Sequence, residues 1–158
     1  MSTVDPERAW LRRTLAPLAD RGAKAARNAS GEFAGVQGAG KAPVEILAPI
    51  GDLLDWGLSM ARGKPQWRVS TPLPWREEVE RFFTALENFD RYLASTEPLE
   101  TPAPKLFQGP IADALTHVGQ IARLRRLAGA PIQGENYFVA AITAGRVGPD
   151  QAPPQQEF

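Results

Sequence analysis

The chain of 158 residues contains no cysteine and a single histidine, His117. The first absence removes disulfide frameworks, thiolate zinc sites and cysteine nucleophiles together. A surplus of either charge is also missing. Eighteen basic residues (18) meet 18 acidic ones, for a formal net charge of +0 and a pI near 6.6, so no global field draws in nucleic acid or an anionic membrane. Long apolar runs are absent too. Residues 1–6 are largely polar and no stretch reaches membrane-spanning length, so neither a secretory signal nor a transmembrane helix is expected, and the expected location is cytoplasmic. At this length one domain, residues 1–158, is the default, with room for a real core.

What the chain has in quantity is proline, 15 residues, with helical periodicity between the prolines. Pro6, after a capping Asp5, opens a first helix over residues 6–25 that carries Trp10, Leu11, Leu15 and Leu18 on one face and should bend at Pro17. Residues 28–43 turn glycine-rich and read as a long flexible loop. Within it, Gly35 to Lys41 satisfies the G-x-x-x-x-G-K part of a phosphate-binding loop. Ala42 replaces the hydroxyl that would hold magnesium, and no strand precedes it, so the sequence favours an ordinary loop.

The second helix covers residues 43–61, where Ile46, Leu47, Ile50, Leu53, Leu54 and Leu58 form a wide apolar arc opposite Glu45, Asp52 and Asp55. Pro49 either kinks it or marks its true start. Trp56 can wall a pocket or pack into the core. In the third helix, residues 74–94, Trp75, Val79, Phe82, Phe83, Leu86, Phe89 and Leu93 recur at three- and four-residue intervals, which is a core stripe rather than a cofactor platform. Proline-bearing extended segments, 63–73 and 96–109, join the helices. Eleven extended residues span about 36 Å, more than the roughly 27 Å of an eighteen-residue helix. The first of these segments can therefore cross the whole length of a bundle.

The fourth helix is expected over residues 110–128, with Pro110 in its first turn and Gly129 as its cap. Ile111, Ala114, Leu115, Val118, Ile121 and Ala122 form its core face, while Leu124 and Leu127 fall outside that arc and predict a homodimer. Asp113, His117 and Gln120 stack on one stripe, about 5–6 Å apart at Cβ. Two readings fit them. They can begin a metal site, or Asp113 can serve the helix dipole while His117 is a hydrogen-bonded interior imidazole. Beyond the helix, residues 136–144 are expected to form a short C-terminal helix that packs Tyr137, Phe138 and Ile142 on the bundle end. Residues 148–158 read as an extended, polar surface tail.

THVGQIARLRRLAG followed by GENYF resembles the last helix of the DinB-like (DinB/YfiT) superfamily, small metal-associated four-helix bundles. ILAPIGDLLDWGLSMARGKPQW and the RVGPDQAPPQQEF tail extend the similarity over most of the chain. The family pattern in that helix is H-x-x-x-H-x-G-Q. Here Asp113 stands at the first histidine, followed by His117, Gly119 and Gln120, and Pro49 falls where the second helix would supply the remaining histidine. The resemblance implies an all-α, up-down-down-up bundle, with parallel second and third helices joined by the long crossover. It also implies a homodimer and a divalent-metal site for zinc or nickel, serving thiol-dependent transferase or related chemistry. In this chain that site is reduced to one imidazole and one carboxylate.

The expectation that follows is a small-molecule-binding or interaction protein without intact family metal chemistry. Its pocket would be built from His117, Asp113, Gln120, Trp56, Asp52 and Pro49, with no cofactor required. The alternative is a divalent-metal-dependent transferase or hydrolase in which Asp52, Asp55 or Glu45 completes the site at His117 and Asp113. Arg123, Arg125 and Arg126 raise nucleic-acid binding as a third idea, but basic residues in the last turns of a helix are what its macrodipole favours, so no nucleic-acid partner is expected.

Overall fold

The computed structural model describes residues 4–37 and 40–158. Its elements are α1 (Pro6–Ala26), the single turn α2 (Gly31–Ala34), α3 (Pro43–Ala61), α4 (Trp75–Ala94), the turn α5 (Ala103–Leu106) and α6 (Ala112–Leu127). A π-helical segment, Phe107–Ile111, joins α5 to α6 without a break. Four of the helices are long, and the fold is an all-α bundle. No described helix is long and apolar enough to cross a membrane.

Directions follow from which side chains meet. Arg12 reaches Asp90 at 2.9 Å, and Gly22 lies against Phe82, so α1 and α4 run antiparallel. Arg81 donates to the Ala48 carbonyl at 3.0 Å while Gly57 lies against Phe89, so α3 and α4 run parallel. Gly57 also faces Pro110, and Ile46 shares a groove with Leu124, which makes α3 and α6 antiparallel. Trp10 meets Phe107 edge-on at 5.0 Å and Arg125 reaches the Ala25 carbonyl, so α1 and α6 are parallel. The order is up-down-down-up.

Two parallel neighbours in sequence require a connection that returns along the bundle, and the extended segment between α3 and α4 supplies it. That segment is held by side chains rather than by a ladder. Asp52 accepts from the Ser70 amide at 3.1 Å, Glu78 from the Leu73 amide at 2.9 Å and Ser59 from the Gln66 amide at 2.9 Å. Arg81 sits behind them, donating to Glu78 at 2.9 Å and to Asp52. Burial alone would lower the Arg81 pKa, but Glu78 and Asp52 outweigh it and leave it raised. Buried charges survive because each is paired and hydrogen-bonded.

Several expectations need correction. The fourth helix does not begin at Pro110: helical backbone starts at Ala103, and Pro110 lies inside the π-helical turn. Proline has no N–H to donate and its ring crowds the carbonyl four residues back; the wider i to i+5 pitch accommodates both. The helix expected at 136–144 is only a 3₁₀ turn, Tyr137–Val139, with Phe138 96% exposed. Nine residues nucleate poorly on their own, and here the Asn136 amide donates to the Gln156 carbonyl at 2.9 Å beside the Glu135–Glu157 bridge. Leu124 is buried within its own chain. The tail is mostly at the surface, yet Gln151 turns inward and donates to the carbonyls of Arg146 and Gly148.

The loop of residues 28–43 contains the turn α2, capped by Ser30, whose Phe33 packs edge-on against Trp75 at 5.6 Å. In the phosphate-loop-like stretch, Gly38 and Ala39 lie outside the described residues. Pro17 and Pro49 both lie within continuous helices.

Candidate functional site

On α6 the spacing of Asp113, His117 and Gln120 does bring them together. His117 Nδ1 lies 2.9 Å from Gln120 Oε1, and His117 Nε2 lies 3.6 Å from Asp113 Oδ1, beyond hydrogen-bond length. The imidazole is thus oriented by neighbours three and four residues away on its own helix. It is not an interior group: its side chain is 28% exposed and that of Asp113 is 54% exposed.

His117 and Gln120 open onto a groove of about 420 Å³ between α6 and the start of α3. Ile46, Leu124 and Leu127 form its apolar wall, and Lys41 and Arg123 supply its charge. Positions 117, 120, 123, 124 and 127 lie three or four residues apart, which is why one side of α6 delivers them all. Lys41 arrives from the loop immediately before α3. Neither Lys41 nor Arg123 makes an ion pair among the described residues.

The other residues expected in this pocket are elsewhere. Asp52 is turned away from His117 toward Arg81 and the crossover. Trp56 meets Trp67 of the crossover edge-on, with ring centroids 5.5 Å apart. Pro49 stays partly exposed within α3 and does not line the groove. The reason is rotational. One α-helical turn is 3.6 residues, so the face of α3 that carries Asp52 and Trp56 to α4 and the crossover cannot also address α6.

The other carboxylates expected to complete a metal site are committed as well. Asp55 lies 3.4 Å from Arg81; burial raises its pKa against the pull of that guanidinium. Glu45 folds back to accept from the Ala42 amide at 2.8 Å, closing the start of α3. Among the described residues, no three histidine, aspartate or glutamate side chains gather as a group able to hold a metal ion. One imidazole with one carboxylate is a poor match to the three or more protein donors that zinc sites use. The described residues do not fit the metal group that the DinB-like resemblance implies.

Arg125 also departs from expectation. It points inward, donating to the Ala25 carbonyl at 3.1 Å and the Ala130 carbonyl at 3.0 Å, and to the Arg27 carbonyl. It thereby serves the C-terminal end of α1, where free carbonyls and the helix dipole favour a cation. Burial lowers its pKa. The three arginines of α6 therefore do not share one basic face.

Sequence reasoning missed a second charged group. Lys24 donates to Asp20 at 3.0 Å and to Glu135, and all three side chains are buried. Asp20 and Lys24 were legible as a helical i, i+4 pair, but such pairs usually lie at the surface. Nothing in the pattern announced that Glu135, 111 residues further on, would enter beside them. Comparison with protein families, with curated proteins and with solved structures finds no match to this chain.

Proposed function

We propose that the chain is a divergent DinB-like bundle that binds a small molecule in the groove at His117, without the metal-dependent transferase or hydrolase chemistry of that superfamily. The observation that carries the reading is the division of polar groups. The acids that could have joined His117 are spent on Arg81 and on the α3 cap, while a groove with an apolar wall and two cations without ion-pair partners among the described residues lies beside the imidazole. Clefts of this size between bundle helices are common sites for small ligands. The helix order and the G-Q pair after His117 support the family assignment. A cytoplasmic location belongs to the same reading.

Metal analysis of protein purified without a histidine tag tests the central claim. The expected result is no stoichiometric zinc or nickel; one equivalent of either, lost in His117→Ala, overturns it. Homodimer formation is the remaining part of the proposal. It now rests on Phe138, because Leu124 is covered within the chain and Leu127 lines the groove. Sedimentation at working concentration should give the mass of two chains, and a mass of one chain refutes the dimer.

A further inference from the structure

We infer that the groove selects organic anions, with a monocarboxylate on a short aliphatic chain as the ligand class. The inference rests on the small-molecule reading above and adds the charge and shape of what is bound.

Three observations converge on it. The first is uncompensated charge. Three cations that tie the helices together have acidic partners: Arg12 has Asp90, Lys24 has Asp20 and Glu135, and Arg81 has Asp52 and Glu78; Arg125 is held by carbonyls instead. Lys41 and Arg123 line one groove, and neither has an ion-pair partner among the described residues. Among the described residues no aspartate or glutamate lines the groove, so the positive charge of these two side chains is not offset within it.

The second is the position of the nearby acids. Asp113 lies beyond His117 and is directed at its Nε2, and Glu45 is bonded back onto the Ala42 amide. Neither stands between Lys41 and Arg123. The first turn of α3, a nineteen-residue (19) helix, borders the same end of the groove. Its dipole adds to the attraction for negative charge.

The third is the apolar wall. Ile46 and Leu124 are already buried, but Leu127 is 64% exposed. A guanidinium offers a carboxylate two parallel N–H donors, and an ammonium supplies a second point charge. With the carboxylate held between them, an aliphatic chain lies along Ile46, Leu124 and Leu127 and covers the apolar surface that the fold leaves open. Gln120, beside the imidazole, offers an amide to the same head group.

Titration of the full ¹⁵N-labelled chain at low salt with hexanoate, hexan-1-ol and hexylammonium tests this, alongside a set of neutral fragments. Hexanoate should shift the amides of His117, Gln120, Leu124 and Leu127 saturably, at least about tenfold more tightly than hexan-1-ol. Hexylammonium should bind most weakly. The double variant Lys41→Gln, Arg123→Gln should lose that tenfold advantage while binding hexan-1-ol as before. Both residues are exposed, and an unchanged melting temperature verifies that the variant is folded. Equal binding of hexanoate and hexan-1-ol overturns the selection for anions. If neutral fragments shift the groove amides and hexanoate does not, the anion class falls and the small-molecule reading survives. If nothing shifts them, both fall.

Discussion

Lys24→Met should destabilise this protein by about 3–5 kcal/mol, the typical cost of removing one partner from a buried ion pair. For a chain of this size that is a fall in Tm of roughly 6–20 °C, readable by calorimetry or circular dichroism. The variant keeps the length and apolar stem of lysine but leaves the Asp20 and Glu135 side chains, 3% and 1% exposed, facing each other without a counter-ion. Wild-type Glu135 is already under-satisfied, since its Oε2 is buried with no hydrogen-bond partner among the described residues. Glu135→Gln should therefore be far milder. Its amide oxygen can still accept from Lys24, and the cluster's formal charge goes from −1 to 0. A Lys24→Met variant within 1 kcal/mol of wild type would show that the triad is not a structural charge cluster.

The pH dependence has a definite sign. Burial by itself pulls the Lys24 pKa down, but hydrogen bonds to Glu135 and Asp20 and their negative charge outweigh it, leaving it above the ordinary 10.5. Burial likewise raises the Tyr137 phenol, whose ring lies 5.3 Å from the Lys24 ammonium. Both groups hold their protons longer in the folded state than in the unfolded one. Their contribution is complete below the unfolded pKa values and is lost as pH climbs through the raised folded ones. Stability should fall with rising pH in that alkaline window, and Lys24→Met should flatten the fall.

Gly22→Ala should destabilise by about 2–3 kcal/mol, against the usual direction for a glycine inside a helix. In an exposed helix the substitution gains about 1 kcal/mol of propensity. Here a Cβ at position 22 would lie 2.5 Å from both Cε1 and Cζ of Phe82. That ring is buried and packed against Phe83 with centroids 4.9 Å apart, so it has little room to swing away. The overlap exceeds the propensity gain. Phe82→Leu in the same chain should recover part of the loss, with a coupling of about 1 kcal/mol or more in a double-mutant cycle of denaturation midpoints. Simple additivity would mean that α1 and α4 can separate slightly to admit the methyl.

Glycine at position 22 gave no sign of this role in the sequence, and the contrast with its neighbours is instructive. Leu11, Leu15 and Leu18 announced their face of α1 because apolar residues at helical spacing must be covered by something. A missing side chain carries no periodic signal; only the ring of Phe82, sixty residues away, explains it. Asp52 shows the same limit from the polar side. Its place on the polar face of α3 was legible, but whether it met His117 or Arg81 depended on how α3 is rotated against α4 and α6. The stacking of Asp113, His117 and Gln120 was readable in advance because helical spacing alone sets it.

Local periodicity and the proline positions were enough to determine four long helices, a connection between the second and third long enough to return along the bundle, and the stacking of Asp113 and Gln120 beside the lone imidazole. Those features depend on interactions within a few residues of each other or on the reach of an extended chain. The tertiary structure alone decided that Pro110 sits inside a π-helical turn, that Glu135 enters the core beside Lys24, and that Lys41 and Arg123 flank one groove. The last two are meetings of segments distant in sequence, set by which faces the packed helices turn to one another, and no spacing within a single helix encodes them.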